Sequence, residues 1–100
     1  GVSKLLNAPE AIVAMGAGVS LLDPVDLSLV ATIPVSGSAR DIAISGKRLA
    51  VAGSLGGAVV YDLSDPYSTV ELGRTGTIPG GVANVNFGRR PPDKSFKFSN

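Results

Sequence analysis

The sequence predicts an all-β chain built from antiparallel four-stranded sheets in tandem. Three observations carry the prediction: short apolar runs, turn residues between them, and a grammar of runs and turns that occurs twice. The fullest instance is ARDIAISGKRLAVAGSLGGAVVYDLSDP, residues 39–66. Ser45-Gly46, the glycines of 53–57 and Ser64-Asp65-Pro66 punctuate it. Glycine tolerates the positive φ of tight turns, and Asp-Pro ends a strand through local hydrogen bonding and a fixed φ.

Composition agrees. Gly and Pro make up a fifth of the 100 residues and only 17% are charged, which suits many turns and little amphipathic helix. The 44% of hydrophobic residues is enough for a core. A net charge of +1 argues against nucleic acid, because neutralising phosphates takes a marked basic excess. The sequence holds no Cys and no His, so disulfides, thiolate chemistry, histidine bases and the usual zinc sites are excluded within it. The longest apolar run, 11–22, is broken by Gly16, Gly18 and Ser20. It falls short of the roughly 20 residues of a spanning helix, so no membrane span is expected.

In order, residues 1–9 read as a lead-in. Strands follow over 11–15 and 19–22, joined as a hairpin through Gly16-Ala17-Gly18. Asp23-Pro24 closes the second, and a third strand over 29–33 ends at Pro34. After Ser36-Gly37-Ser38 the pattern restarts with strands over 41–45, 48–52, 58–63 and 70–75. Ile78-Pro79-Gly80-Gly81 then leads into a strand over 83–87. Ile12 and Leu49 stand 37 positions apart, and Ile33-Pro34 and Ile78-Pro79 stand 45 apart. Asp41-Ile42-Ala43-Ile44 likewise answers to Asn84-Val85-Asn86-Phe87. That period is the span of a four-stranded propeller blade.

Strand texture points the same way. A half-exposed strand alternates apolar and polar residues, yet 42–44, 49–52 and 58–61 are almost continuously apolar. Continuous runs mean burial on both faces of a sheet. Ala43, Ala50, Ala52 and Ala58 are small enough for neighbouring sheets to approach closely. Glu71 and Arg74 mark 70–75 as an outer strand. The expected division is a first, partial blade over 1–38, a second over 39–81, the first strand of a third over 82–87, and a polar tail over 88–100. In the tail, Arg89-Arg90-Pro91-Pro92 cannot continue a central strand. Residues 94–98 alternate, but a frayed, solvated end is expected there rather than an edge strand.

Gly56-Gly57-Ala58-Val59-Val60-Tyr61-Asp62-Leu63-Ser64-Asp65-Pro66 resembles the signature of LVIVD-repeat β-propellers. The phrases over 39–46 and 77–80 fit the same repeat, and 12–33 fits it more weakly. The chain departs from the pattern at Arg48 and Ala50, where the family commonly has aromatics, and at Thr69, near a usual turn proline. The resemblance implies a secreted or cell-surface bacterial propeller with no established general catalytic role.

About two blades make an incomplete ring, since propellers commonly close with 4 to 8. Open blades expose apolar faces, so the expected partners are further blades of a longer chain or copies of this one. Asp23 with Asp26, and Asp62 with Asp65, place carboxylates at equivalent strand ends. A calcium site and a turn-shaping role both fit, and the absence of EF-hand spacing favours the turn. The glycines of 53–57 lack the GxxxxGK[ST] pattern and read as hairpin glycines. Ser38, Arg40, Asp41 and Asn84 fall where an outer strand hands over to the next inner one, on the face shared with the 53–57 loop. Loops gathered there on a rigid scaffold are the candidate ligand-binding site. Arg40 is its best polar group, because its fork can hold a carboxylate bidentately. The competing role for Arg40 is an ion pair, with Asp41 or between blades, that orders the rim. No catalytic residue, metal or cofactor is expected, and the function read is binding or scaffolding. The alternatives are a piece of a propeller enzyme whose catalytic residues lie elsewhere, and a self-assembling ring with an axial ligand.

Overall fold

The computed structural model describes residues 4–8, 10–16, 18–35, 37–76, 78–87 and 96–99. It is all-β, with no helix among the described residues. β1 (Lys4–Ala8), β2 (Ala11–Met15), β3 (Val19–Leu22) and β4 (Leu29–Ile33) form one antiparallel sheet in that order. β5 (Ala39–Ser45), β6 (Arg48–Gly53), β7 (Ala58–Asp62) and β8 (Val70–Arg74) form the second with the same up-and-down order. β9 (Asn84–Phe87) pairs with β10 (Phe96–Ser99) in a third, two-stranded sheet. The first strands of the three sheets lie in succession, β5 beside β1 on one side and β9 on the other. The sheets do not close a ring.

β6 sits at the centre and explains its own sequence. Side chains alternate across a strand. Leu49 and Val51 pack toward the first sheet, in a cluster with Val13, Met15, Val19, Leu21 and Ile33. Ala50 and Ala52 pack the other way with Ala58, against Val82 and Val85. None of these four β6 residues is more than 2% exposed. Both faces are core, so the unbroken apolar run is what the position demands. The alanines all fall on the face where β9 comes in, and their small side chains permit the close approach.

The internal repeat is present in the pairing. The β1–β2 turn is framed by Ala8↔Ala11 and the β5–β6 turn by Ser45↔Arg48, each leaving two residues in the loop. Met15↔Val19 answers to Ala52↔Ala58. An irregularity recurs at the same step of both sheets, between Leu21 and Leu22 and between Val60 and Tyr61. In each case the outermost strand carries one extra residue, Val30 in β4 and Leu72 in β8.

Two sequence expectations need correction. Residues 1–9 are no mere lead-in: Lys4–Ala8 is a strand, so the first sheet has four strands and not three. Lys4 and Asn7 interrupt its apolar pattern, and only the ladder with β2 reveals it. Nor do residues 96–99 fray, for they are the edge strand β10 on β9. Arg89-Arg90-Pro91-Pro92 and the rest of 88–95 lie outside the described residues. No described helix is long and apolar enough to cross a membrane.

Leu49 is fully buried whereas Leu72 is 51% exposed. Leu49→Ala is therefore expected to lower stability by about 2–5 kcal/mol through lost burial and a cavity. Leu72→Ala should change it by about 0.5 kcal/mol or less. Urea unfolding of the two variants checks the contrast.

Candidate functional site

The four residues singled out in the sequence lie where the second sheet meets its neighbours. Residues 39 and 41 of β5 pair with consecutive residues of β6, Gly53 and Ala52, so Arg40 is the unpaired residue of a bulge. A bulge breaks the side-chain alternation and re-aims the residue it carries. Arg40 is exposed, and its Nη1 donates to the Gly80 carbonyl at 2.8 Å. It makes no ion pair with a described acid. An ion pair between sheets does exist here, but Arg40 is not in it.

Asp41 holds that role. Lys4 Nζ of β1 donates to Asp41 Oδ1 at 2.6 Å and to the Ile42 carbonyl at 2.8 Å. On the other side the Val85 amide of β9 donates to Asp41 Oδ2 at 3.1 Å. One carboxylate thus ties all three sheets. Its side chain is 17% exposed, and that of Lys4 38%. Lys4 escaped the sequence reading, although it stands 37 positions before Asp41, at the repeat's own spacing.

Ser38 belongs to a tight loop junction. Its amide donates to Ser54 Oγ and its carbonyl accepts from the Ser54 amide, both at 2.9 Å. Gly37 and Gly81 press on Ser54 with φ of 79° and 76°, and a Cβ on either would collide with it. Both features require glycine. The Val82 amide donates to the Gly53 carbonyl at 3.1 Å, closing the junction. Asn84 begins β9 opposite Ser99 of β10, and its exposed side chain has no hydrogen-bond partner among the described residues. The structure thus gathers Ser38, Arg40 and Asp41 around one junction and sets Asn84 next to Asp41's partner Val85.

The paired aspartates are turn formers. Asp23 Oδ1 accepts from the Val25 amide, Asp26 Oδ1 from Ser28 and Asp65 Oδ1 from Tyr67, each two residues on. Asp62 Oδ1 accepts from the Ser64 amide at 2.8 Å and from its hydroxyl at 2.6 Å. These are Asx-turn contacts. Among the described residues no three Asp, Glu, His or Cys gather where they could hold a metal.

A crevice that the sequence did not signal lies between the first two sheets. Pro34 and Val35 flank one part of it, and Val51, Val59, Tyr61 and Arg74 line the rest. Burial, and then the nearby Glu71 charge, push the Tyr61 phenol above its ordinary value. Arg74 is already bound by Glu71, its Nε donating to Oε2 at 2.9 Å. At about 110 Å³ the space admits a few waters and is well below the several hundred Å³ of a small-molecule site. The chain matches no protein-family model, no curated protein and no solved structure.

Asp41→Ala is expected to cost about 1–3 kcal/mol, because the Val85 amide loses its acceptor and Lys4 loses one of its two. Asp41→Asn, which keeps an acceptor oxygen, should cost less; unfolding midpoints rank the two. The Ser64 hydroxyl and then the Ser64 amide hold the Asp62 carboxyl below its ordinary 3.8. A depressed folded value means the turn contributes its stability above the unfolded pKa and loses it as pH falls through the lower, folded one. An NMR titration should place the Asp62 midpoint below 3.8, and Ser64→Ala should raise it.

Proposed function

We propose that this chain is a segment of a β-propeller that acts as a binding or scaffolding surface and performs no catalysis of its own. One observation carries the reading: the second sheet is packed on both faces by its neighbours, and the first strands of the three sheets lie side by side. The LVIVD-like phrase over 56–66 supports it, and the same resemblance favours a secreted or cell-surface bacterial protein. Such sheets radiate from an axis, and their handover loops gather at one end.

The ligand in this reading is a protein or small molecule rather than a nucleic acid, and it meets the rim formed by Ser38, Arg40, Asp41 and Asn84. Within that set the roles divide. Asp41 is committed to Lys4 and the Val85 amide and orders the rim. Arg40 is anchored through one nitrogen to a carbonyl and keeps its remaining donors for a ligand. Anchoring lowers the entropy lost when a flexible side chain binds. The other partners are further sheets of the same kind, which cover the apolar face left open on β1–β4.

A screen of peptides and small carboxylates by NMR shift perturbation tests the rim. Any binder mapped there should weaken about tenfold or more in Arg40→Ala, the loss of one charge-assisted contact. Binders indifferent to Arg40→Ala, Ser38→Ala and Asn84→Ala would remove this site.

A further inference from the structure

The strands β1, β5 and β9 repeat one joint, and β1 and β9 carry complementary halves of a further one. Lys4, Asp41 and Asn84 hold the same place in the three strands, and Leu5, Ile42 and Val85 hold the next. In the first joint Lys4 reaches forward to the Ile42 carbonyl, and in the second Asp41 reaches forward to the Val85 amide. In an antiparallel ladder the N–H and C=O of one residue point to the same side of the strand. The second position therefore offers the preceding strand both an acceptor and a donor. Lysine, a donor only, takes the carbonyl; aspartate, an acceptor only, takes the amide.

Among the described residues, both ends of the series are uncovered. Asn84 is the next residue in the forward-reaching row, yet its side chain is exposed and bonds nothing among the described residues. Leu5 precedes Ile42 and Val85 in the receiving row. Ile42 is 0% exposed and Val85 3%, each covered by the sheet before it, whereas Leu5 is 59% exposed. Ile12 and Leu22 lie half-buried on the same open face as Leu5.

We propose, resting on the propeller reading above, that a second copy of this chain docks head to tail on these ends. Asn84 of one copy meets the main chain of Leu5 in the next, and the Leu5 side chain is buried as Ile42 is. Asparagine fits the joint because its amide supplies a donor for the Leu5 carbonyl and an acceptor for the Leu5 amide. Each copy carries both halves, so the contact needs no other component and propagates until it closes or runs on. Pairing two β1–β4 sheets face to face would cover Leu5 but leave Asn84 unused.

Light scattering over a concentration series tests this with two variants, Leu5→Asp and the double variant Asn84→Ala/Asn86→Glu; the sites are exposed, so the fold is preserved. The unaltered chain should give a mass that is a multiple of 10.1 kDa. Each variant alone should be monomeric. Their equal mixture should give a species of twice the chain mass and nothing larger, because one intact joint remains. Asn84→Asp, which mimics Asp41, should retain assembly near neutral pH. Dimers of Asn84→Ala/Asn86→Glu alone would overturn the head-to-tail contact in favour of face-to-face pairing. A monomeric unaltered chain with a Val85 amide protected from hydrogen exchange would overturn self-assembly and leave the propeller reading intact. An unprotected Val85 amide would overturn both.

Discussion

Everything in this molecule turns on how three sheets are held beside one another, and the Asp41 carboxylate is where all three meet. A lone buried charge would be costly, but this one is fully engaged. It faces an ammonium on one side and a backbone amide on the other, and it is partly open to water. Charge-assisted hydrogen bonds of this kind are stronger than neutral ones and set geometry as well as energy. The apolar clusters on either side of β5–β8 supply attraction without direction. The Lys4–Asp41–Val85 chain supplies the register at which the sheets settle.

The two clusters differ in kind. Between the first and second sheets the contact is made by larger side chains, Leu21, Leu49, Ile42 and Ile33. Between the second sheet and β9 it is made by alanines against valines. Stacked sheets commonly sit about 10 Å apart, and alanine against valine brings two backbones nearer than leucine against isoleucine does. The loops obey the same closeness: Gly37 and Gly81 leave no room for a side chain against Ser54. Packing and turn chemistry agree, which is what a foldable repeat requires.

Much of this architecture was legible in the residues. The continuous apolar run of β6, the turn role of Asp62 and Asp65, and the equivalence of 12–15 with 49–52 all follow from local pattern. What stayed hidden depends on neighbours. β1 has the sequence KLLNA, too short and too polar to stand out, and it exists because β2 offers a partner. β10 is likewise a strand by virtue of β9. Arg40 and Asp41 stand out in the sequence at the handover between sheets, but their division of labour does not. A bulge places Arg40 against a carbonyl, while a lysine 37 residues away takes the carboxylate. Adjacency in sequence favours Arg40 for Asp41, whereas the fold pairs Asp41 with Lys4, 37 residues away at the repeat's spacing.

The extra residues Val30 and Leu72 sit in the outermost strands at the same step of both sheets. A straight, regular outer strand is a template on which a foreign strand can zip up through main-chain hydrogen bonds. One surplus residue throws that template out of phase and bends it away. The periphery is thereby made a poor seed for lateral, amyloid-like extension, even though Leu29, Val70 and Leu72 are exposed there.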